Sequence, residues 1–103
     1  MIAMPIAAEC RTKEQIRSEI DRIDTVLVAL LAERFGYVRR MAELKRSPSD
    51  AYDEDRIEAV LRLVRRESES QGLDAELAES LWRRLIEWNV AFEERSIGRT
   101  AKP

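Results

Sequence analysis

The sequence predicts an all-α fold of three helices, the first of them very long. Three observations carry this. Apolar residues recur at steps of three and four over residues 16–45, 57–64 and 77–92, the spacing of one helix face. The 103 residues include only three glycines and three prolines, which leaves few places for turns. Hydrophobic residues make up 45% and charged residues 37%, a mixture that suits an amphipathic all-helical protein.

The chain reads as a single domain over residues 1–103, with 1–11 as an N-terminal extension and 98–103 as a frayed tail. Met1–Ala8 is mildly apolar but short for a signal segment and lacks a basic start, and no run reaches the length of a membrane span. The first helix is expected from Thr12, where Thr12 and Gln15 match a capping box, to Ser47, where Pro48 disfavours helical geometry in the residue before it. That is about 35 residues, or about 50 Å. A helix of this length in so short a chain is better packed against a second copy than against its own neighbours. Gly36 lies inside it and costs about 1 kcal/mol relative to alanine, either as a tolerated imperfection or to let another backbone approach.

Residues 47–52 form the first connection. Asp53 is placed to cap the second helix, with Glu54 and Asp55 at its positive end and Ile57, Val60, Leu61 and Val64 as its apolar face. Gln71-Gly72-Leu73-Asp74 reads as a helix stop followed by a new cap. The third helix runs from Ala75 to Ile97. It carries one stripe of Leu77, Leu81, Leu85, Trp88 and Phe92, and a second of Ala78, Trp82, Ile86, Asn89 and Glu93.

The departures from pattern are the informative residues. The stripe of the first helix runs Ile16, Ile20, Ile23, Leu27, Leu30 and then Arg34, Val38, Met41, Lys45. Two cations in that register either snorkel from its edge or meet an anion, because an unpaired buried charge is costly. Asn89 and Glu93 break the third helix in the same way, either as a local cap and a solvated side chain or as polar groups facing a ligand. Arg34 and Lys45 stand roughly 16 Å apart along the axis and about 20° apart around it, so their long side chains can converge on one small molecule. Arg17 is about 25 Å from Arg34 and could join that molecule only from an antiparallel second copy. Arginine forks suit carboxylates, and Arg56 adds a donor near the first turn of helix two. The inferred ligand is a small dicarboxylate with further oxygens.

Other chemistries are disfavoured. With no histidine there is no His-dependent triad or His-based zinc site, and the single cysteine, Cys10, reads as an inert thiol with no intramolecular disulfide. Net charge is −2 with the signs intermixed, which is no nucleic-acid footprint. No metal site or cofactor is expected, and the protein reads as soluble and cytoplasmic.

The segments Ile16-Arg17-Ser18-Glu19-Ile20-Asp21-Arg22-Ile23-Asp24, Leu30-Leu31-Ala32-Glu33-Arg34, Lys45, Asp53-Glu54-Asp55-Arg56 and Gly72-Leu73-Asp74 together resemble the all-helical (type II) chorismate mutase family, near its isochorismate-pyruvate lyase branch. The resemblance covers about residues 12–95. It implies an intertwined homodimer with two shared sites, a cofactor-free rearrangement of chorismate to prephenate, and a place in aromatic amino acid biosynthesis. It implies that Arg17 in trans and Arg34 in cis hold the carboxylates and that Lys45 contacts the ether oxygen and a carboxylate. Asp53 and Arg56 would sit at the closing loop and Val90 would form an apolar wall. Glu93 would be the second ether-oxygen donor, which requires it to be protonated. Ile57 stands where family mutases commonly carry a glutamate for the substrate hydroxyl; lyase relatives tend to be apolar there. Elimination of pyruvate from isochorismate, giving salicylate, is therefore the alternative activity, and a non-catalytic helical dimerisation module is the alternative of another class.

Overall fold

In the computed structural model, residues 6–97 are described, and they are helical with no strand among them. The proposed tail 98–103 and residues 1–5 of the extension lie outside the described residues. Three α-helices follow one another: α1 (Lys13–Leu44), α2 (Glu54–Gln71) and α3 (Ala75–Ser96), with short 3-10 turns at Ala7–Glu9 and Pro48–Ala51. The chain divides into two compact units, one of residues 6–34 and one of residues 35–97.

The first unit is the 3-10 turn and most of α1. Its helix starts as a capping box: Thr12 Oγ1 accepts from the Gln15 amide at 3.1 Å, and Gln15 Oε1 accepts from the Thr12 amide at 3.2 Å. Gln15 Oε1 also accepts from the Arg11 amide at 2.6 Å, so a single side chain meets two otherwise open donors. Along this stretch the apolar residues remain exposed: Ile16, Ile20, Ile23, Val26, Leu27, Leu30 and Leu31 each retain 44–55% of their surface. A lone helix has nothing of its own against which to bury such a face.

The second unit holds the last turns of α1, the connection, α2 and α3. α1 ends at Leu44 rather than at the expected Ser47, although Lys45 still donates its amide to the Met41 carbonyl at 2.9 Å. The early stop has a local cause. Ser47 is extended (φ −135°, ψ 141°), as a residue before proline must be, and it caps the 3-10 turn instead. Its hydroxyl accepts from the Ser49 amide, and Asp50 accepts from the Ser47 amide at 3.2 Å.

Asp53 caps α2 by accepting from the Arg56 amide at 3.1 Å. The helix closes on Gly72, whose φ of 74° is left-handed and favours a residue without Cβ. Leu73 donates back to the Ser68 carbonyl at 2.8 Å, and Asp74 then caps α3 by accepting from Glu76 and Leu77 at 2.9 and 3.0 Å. This short turn makes α2 and α3 a hairpin. Leu61 is buried and Ile57, Val60 and Val64 are half-buried, the apolar face expected for α2. Ser68, also buried, returns its hydroxyl proton to the Val64 carbonyl. Across the hairpin, Glu79 accepts from Arg65 Nη1 at 2.7 Å and from Arg83 Nε at 2.8 Å. Those hydrogen bonds, from Arg83 first and Arg65 second, hold the Glu79 carboxyl below its ordinary range, and the Glu79 bond raises Arg65.

The small core joins Ala42 of α1, Ala51 of the connection and Ile97 after α3, with Val90 and Phe92 packed against it. Beside it, Phe35 meets Phe92 edge-on at 4.7 Å and Trp88 at 5.5 Å, and the Arg39 guanidinium lies 5.1 Å from the Phe35 ring centre. Ala42 thus takes the buried register position beside the expected Met41, which stays exposed. On α3 the stripe of Leu77, Leu81 and Trp88 is the more exposed one. The stripe that carries Asn89 and Glu93 faces inward, with Ala78 at 1% exposure.

Candidate functional site

Two of the residues that break the apolar pattern meet in the second unit. Lys45, one residue past α1, donates from Nζ to Glu93 Oε1 on the last turns of α3 at 2.7 Å. The two side chains keep only 22% and 10% of their surface. They are 48 positions apart in sequence, so the pair is a product of packing, not of helix spacing. Asn89 lies one turn before Glu93 on the same face, and both residues are 7% exposed. Glu93 is therefore not a solvated side chain, and Asn89 is buried on the same face.

Lys45 does not snorkel bare to water, and the anion it meets within the chain is a side-chain carboxylate, not a ligand. The stem is largely covered and the ammonium is met by a carboxylate. An ammonium has three donors and a carboxylate four acceptor positions, so neither group is saturated by this single bond.

A cleft of about 550 Å³ opens at Lys45, bounded by Ser49, Asp50, Tyr52, Asp53, Glu54 and Asp55. Its rim is strongly acidic. Asp53 lines it while its carboxylate caps α2 by accepting from the Arg56 amide. Arg56 is exposed on the first turn of α2. A second cleft of about 450 Å³ shares Tyr52 and is more apolar, with Ile57, Ile86, Val90 and Ala91 among its walls and Arg83, Glu87 and Glu94 at its edges. Val90 is half-buried. Arg17 and Arg34 belong to the first unit, where Arg17 is exposed and Arg34 half-buried on α1.

Tyr52 is the lining residue that sequence reasoning passed over. It borders both clefts and is 59% exposed. The available signal was an aromatic residue in the connection, one position before a helix cap. The acidic rim was visible only as a favourable charge pattern for the start of α2. Among the described residues no group of His, Cys, Asp and Glu is arranged to hold a metal ion, and no helix is long and apolar enough to cross a membrane.

The sequence fits the profile of chorismate mutase type II over residues 16–94. The chain belongs to the chorismate mutase type II family. It is 34% identical over 88 residues to isochorismate pyruvate lyase of Pseudomonas aeruginosa, covering 85% of this chain and 87% of that protein. It is 32% identical over 83 residues to the T-protein of Haemophilus influenzae, covering 80% of this chain but 22% of that protein. The family is one of enzymes acting on chorismate or isochorismate. The matched span begins at Ile16 and closes at Glu94, so it includes every residue singled out above, from Arg17 to Glu93.

Proposed function

We propose that the protein is a chorismate mutase, converting chorismate to prephenate in a pocket shared by two copies of the chain. The observation that carries this reading is the Lys45–Glu93 pair, sequestered at 2.7 Å on the inward face of α3 beside an open cleft. The reaction is a concerted rearrangement: the ether C–O bond breaks as a new C–C bond forms, and no nucleophile is required. The protein's task is to hold the compact conformer and to stabilise charge on the departing oxygen.

Lys45 is assigned to that oxygen, with Glu93, when it carries a proton, as the second donor. Arg34 and, from the second copy, Arg17 hold the two carboxylates as bidentate forks. Arg56, Asp53 and Asn89 complete the polar contacts, and Val90 forms an apolar wall. The half-exposed apolar residues of α1, Ile16 to Leu31, support the pairing of two chains, since a second helix can cover what a single one leaves open.

The test is direct. Purified protein is expected to consume chorismate and form prephenate without an added cofactor; folded, dimeric protein that leaves chorismate unchanged overturns the reading. A second reading, elimination of pyruvate from isochorismate, is supported by the apolar Ile57 and by the similarity to the Pseudomonas lyase. It uses the same cations on the isomeric ring. Salicylate fluorescence with isochorismate, at a higher kcat/KM than mutase turnover, would make it the better description.

A further inference from the structure

Tyr52 stands where the two halves of the proposed site meet. Lys45, assigned to the departing oxygen, lines the cleft of about 550 Å³, and Val90, assigned as an apolar wall, lines the cleft of about 450 Å³. Among the described residues, Tyr52 is the one that borders both. A molecule that reaches Lys45 and Val90 at once therefore passes the Tyr52 ring. We infer that Tyr52 is a specificity-determining residue: its phenol hydrogen-bonds the ring hydroxyl of the substrate and so selects a hydroxylated ring over one that lacks the group. The inference rests on the reading of the protein as a chorismate mutase.

The chain presents Tyr52 there for local reasons. The residue follows the 3-10 turn Pro48–Ala51 in an extended conformation (φ −96°, ψ 113°). Ala51 before it is buried in the small core. Asp53 after it caps α2 by accepting from the Arg56 amide. Both neighbours are thus tied down, which fixes the Tyr52 backbone while the residue itself keeps 59% of its surface open.

Charge decides which way the substrate ring lies. Chorismate carries two carboxylates, and Asp50, Asp53, Glu54 and Asp55 line the Lys45 cleft, so repulsion turns the ring from that rim toward the apolar cleft. There Ile57, Ile86, Val90 and Ala91 offer a hydroxyl no hydrogen bond, and pressing it against them unpartnered is costly. The charged edges of that cleft suit it less. Arg83 Nε is bonded to Glu79 and Glu87 to Arg84, each at 2.8 Å, and the Glu94 carboxylate repels a dianion. Ser49, on the other cleft, shares its hydroxyl with Ser47 at 2.9 Å. Among the described residues lining the apolar cleft, Tyr52 is the uncharged side chain that can both donate and accept.

The test pairs chorismate with its analogue carrying hydrogen in place of the ring hydroxyl, each turned over by wild-type protein and by Tyr52→Phe. The intrinsic reactivity of the two ethers cancels in the ratio of wild type to variant. On chorismate, Tyr52→Phe is expected to lower kcat/KM by about tenfold, the worth of one neutral hydrogen bond. On the analogue it is expected to leave kcat/KM unchanged, because the ring that packs against the substrate is retained. Circular dichroism verifies the helix content, and Tyr52→Leu serves for the same comparison if the phenylalanine variant does not fold. An equal loss on both substrates would make Tyr52 a packing surface alone, and no loss on either would place it outside the site; each result overturns the inference. With wild-type chorismate turnover intact, those results leave the mutase reading standing. Wild-type protein that turns over neither substrate overturns both.

Discussion

The two units of the chain invert the usual order of a protein in opposite ways. The first, residues 6–34, keeps its aliphatic side chains outside; Leu27 and Leu30 are half exposed. The second, residues 35–97, puts polar groups inside, with Asn89 and Glu93 buried while Leu77, Leu81 and Trp88 of the same helix face out. The difference teaches that one chain is incomplete in two senses. The aliphatic face of α1 calls for an apolar cover, because burying such side chains is the main favourable term in association. The inward polar face of α3 calls for a charged partner, because an ionised group without one is expensive to bury. Lys45 supplies that partner to Glu93 within the second unit.

The largest effect should come from the polar side of this contrast. Lys45→Met is expected to lower mutase kcat by about 100- to 1000-fold, the usual loss when a donor to developing charge is removed. Stopped assays with chorismate, with circular dichroism to verify helix content, check this; retention of most activity would remove Lys45 from the reacting centre. Next comes the apolar side. Leu27→Glu is expected to weaken self-association by about a hundredfold or more, since burial of a leucine is worth about 1.5–3 kcal/mol and a charge opposes it. Sedimentation equilibrium reads this, and an unchanged association constant would mean that another face is covered.

Smaller effects sharpen the same comparison. Gly36 lies on the exposed side of α1, and apart from its chain neighbours and the adjacent backbone of its own helix, nothing among the described residues stands within 4 Å of where its Cβ would be. Gly36→Ala should therefore raise stability by about 1 kcal/mol in thermal unfolding. Loss of stability instead would indicate that a second copy's backbone approaches there, which would tie the glycine to the covered face. The smallest effect belongs to the surface of the hairpin. The Glu79 carboxyl is held below its ordinary range by Arg83 and Arg65, so its contribution is present above the unfolded carboxyl's value and fades as pH falls through the lowered folded value. Glu79→Gln should give a slight loss of melting temperature at neutral pH that vanishes in acid, because exposed pairs are worth little.

What could be read in advance sorts by range. The Thr12–Gln15 box, the Asp53 cap and the Gly72-Leu73-Asp74 stop and restart were legible because each is made by residues two to five positions apart. Even the misplaced end of α1 has a local cause, the demand of Pro48 on Ser47, which acted before the helix could run to Ser47. Periodicity also marked both candidate stripes of α3 correctly as stripes. It could not say which one faces inward, because Leu85 and Trp88 have as strong a claim to a core as Trp82 and Ile86 on composition alone.

The sequence by itself determined three helices, their caps and the short list of polar residues in apolar register, since all of these depend on local hydrogen bonding and on the 3.6-residue repeat. Only the tertiary structure decided that Glu93 meets Lys45 across 48 positions, that Tyr52 borders two clefts, and that Ala42 is buried in place of Met41. The physical reason is that a helix carries its face in its own spacing, whereas its neighbour is chosen by packing among elements distant in sequence, where shape and charge must fit at once.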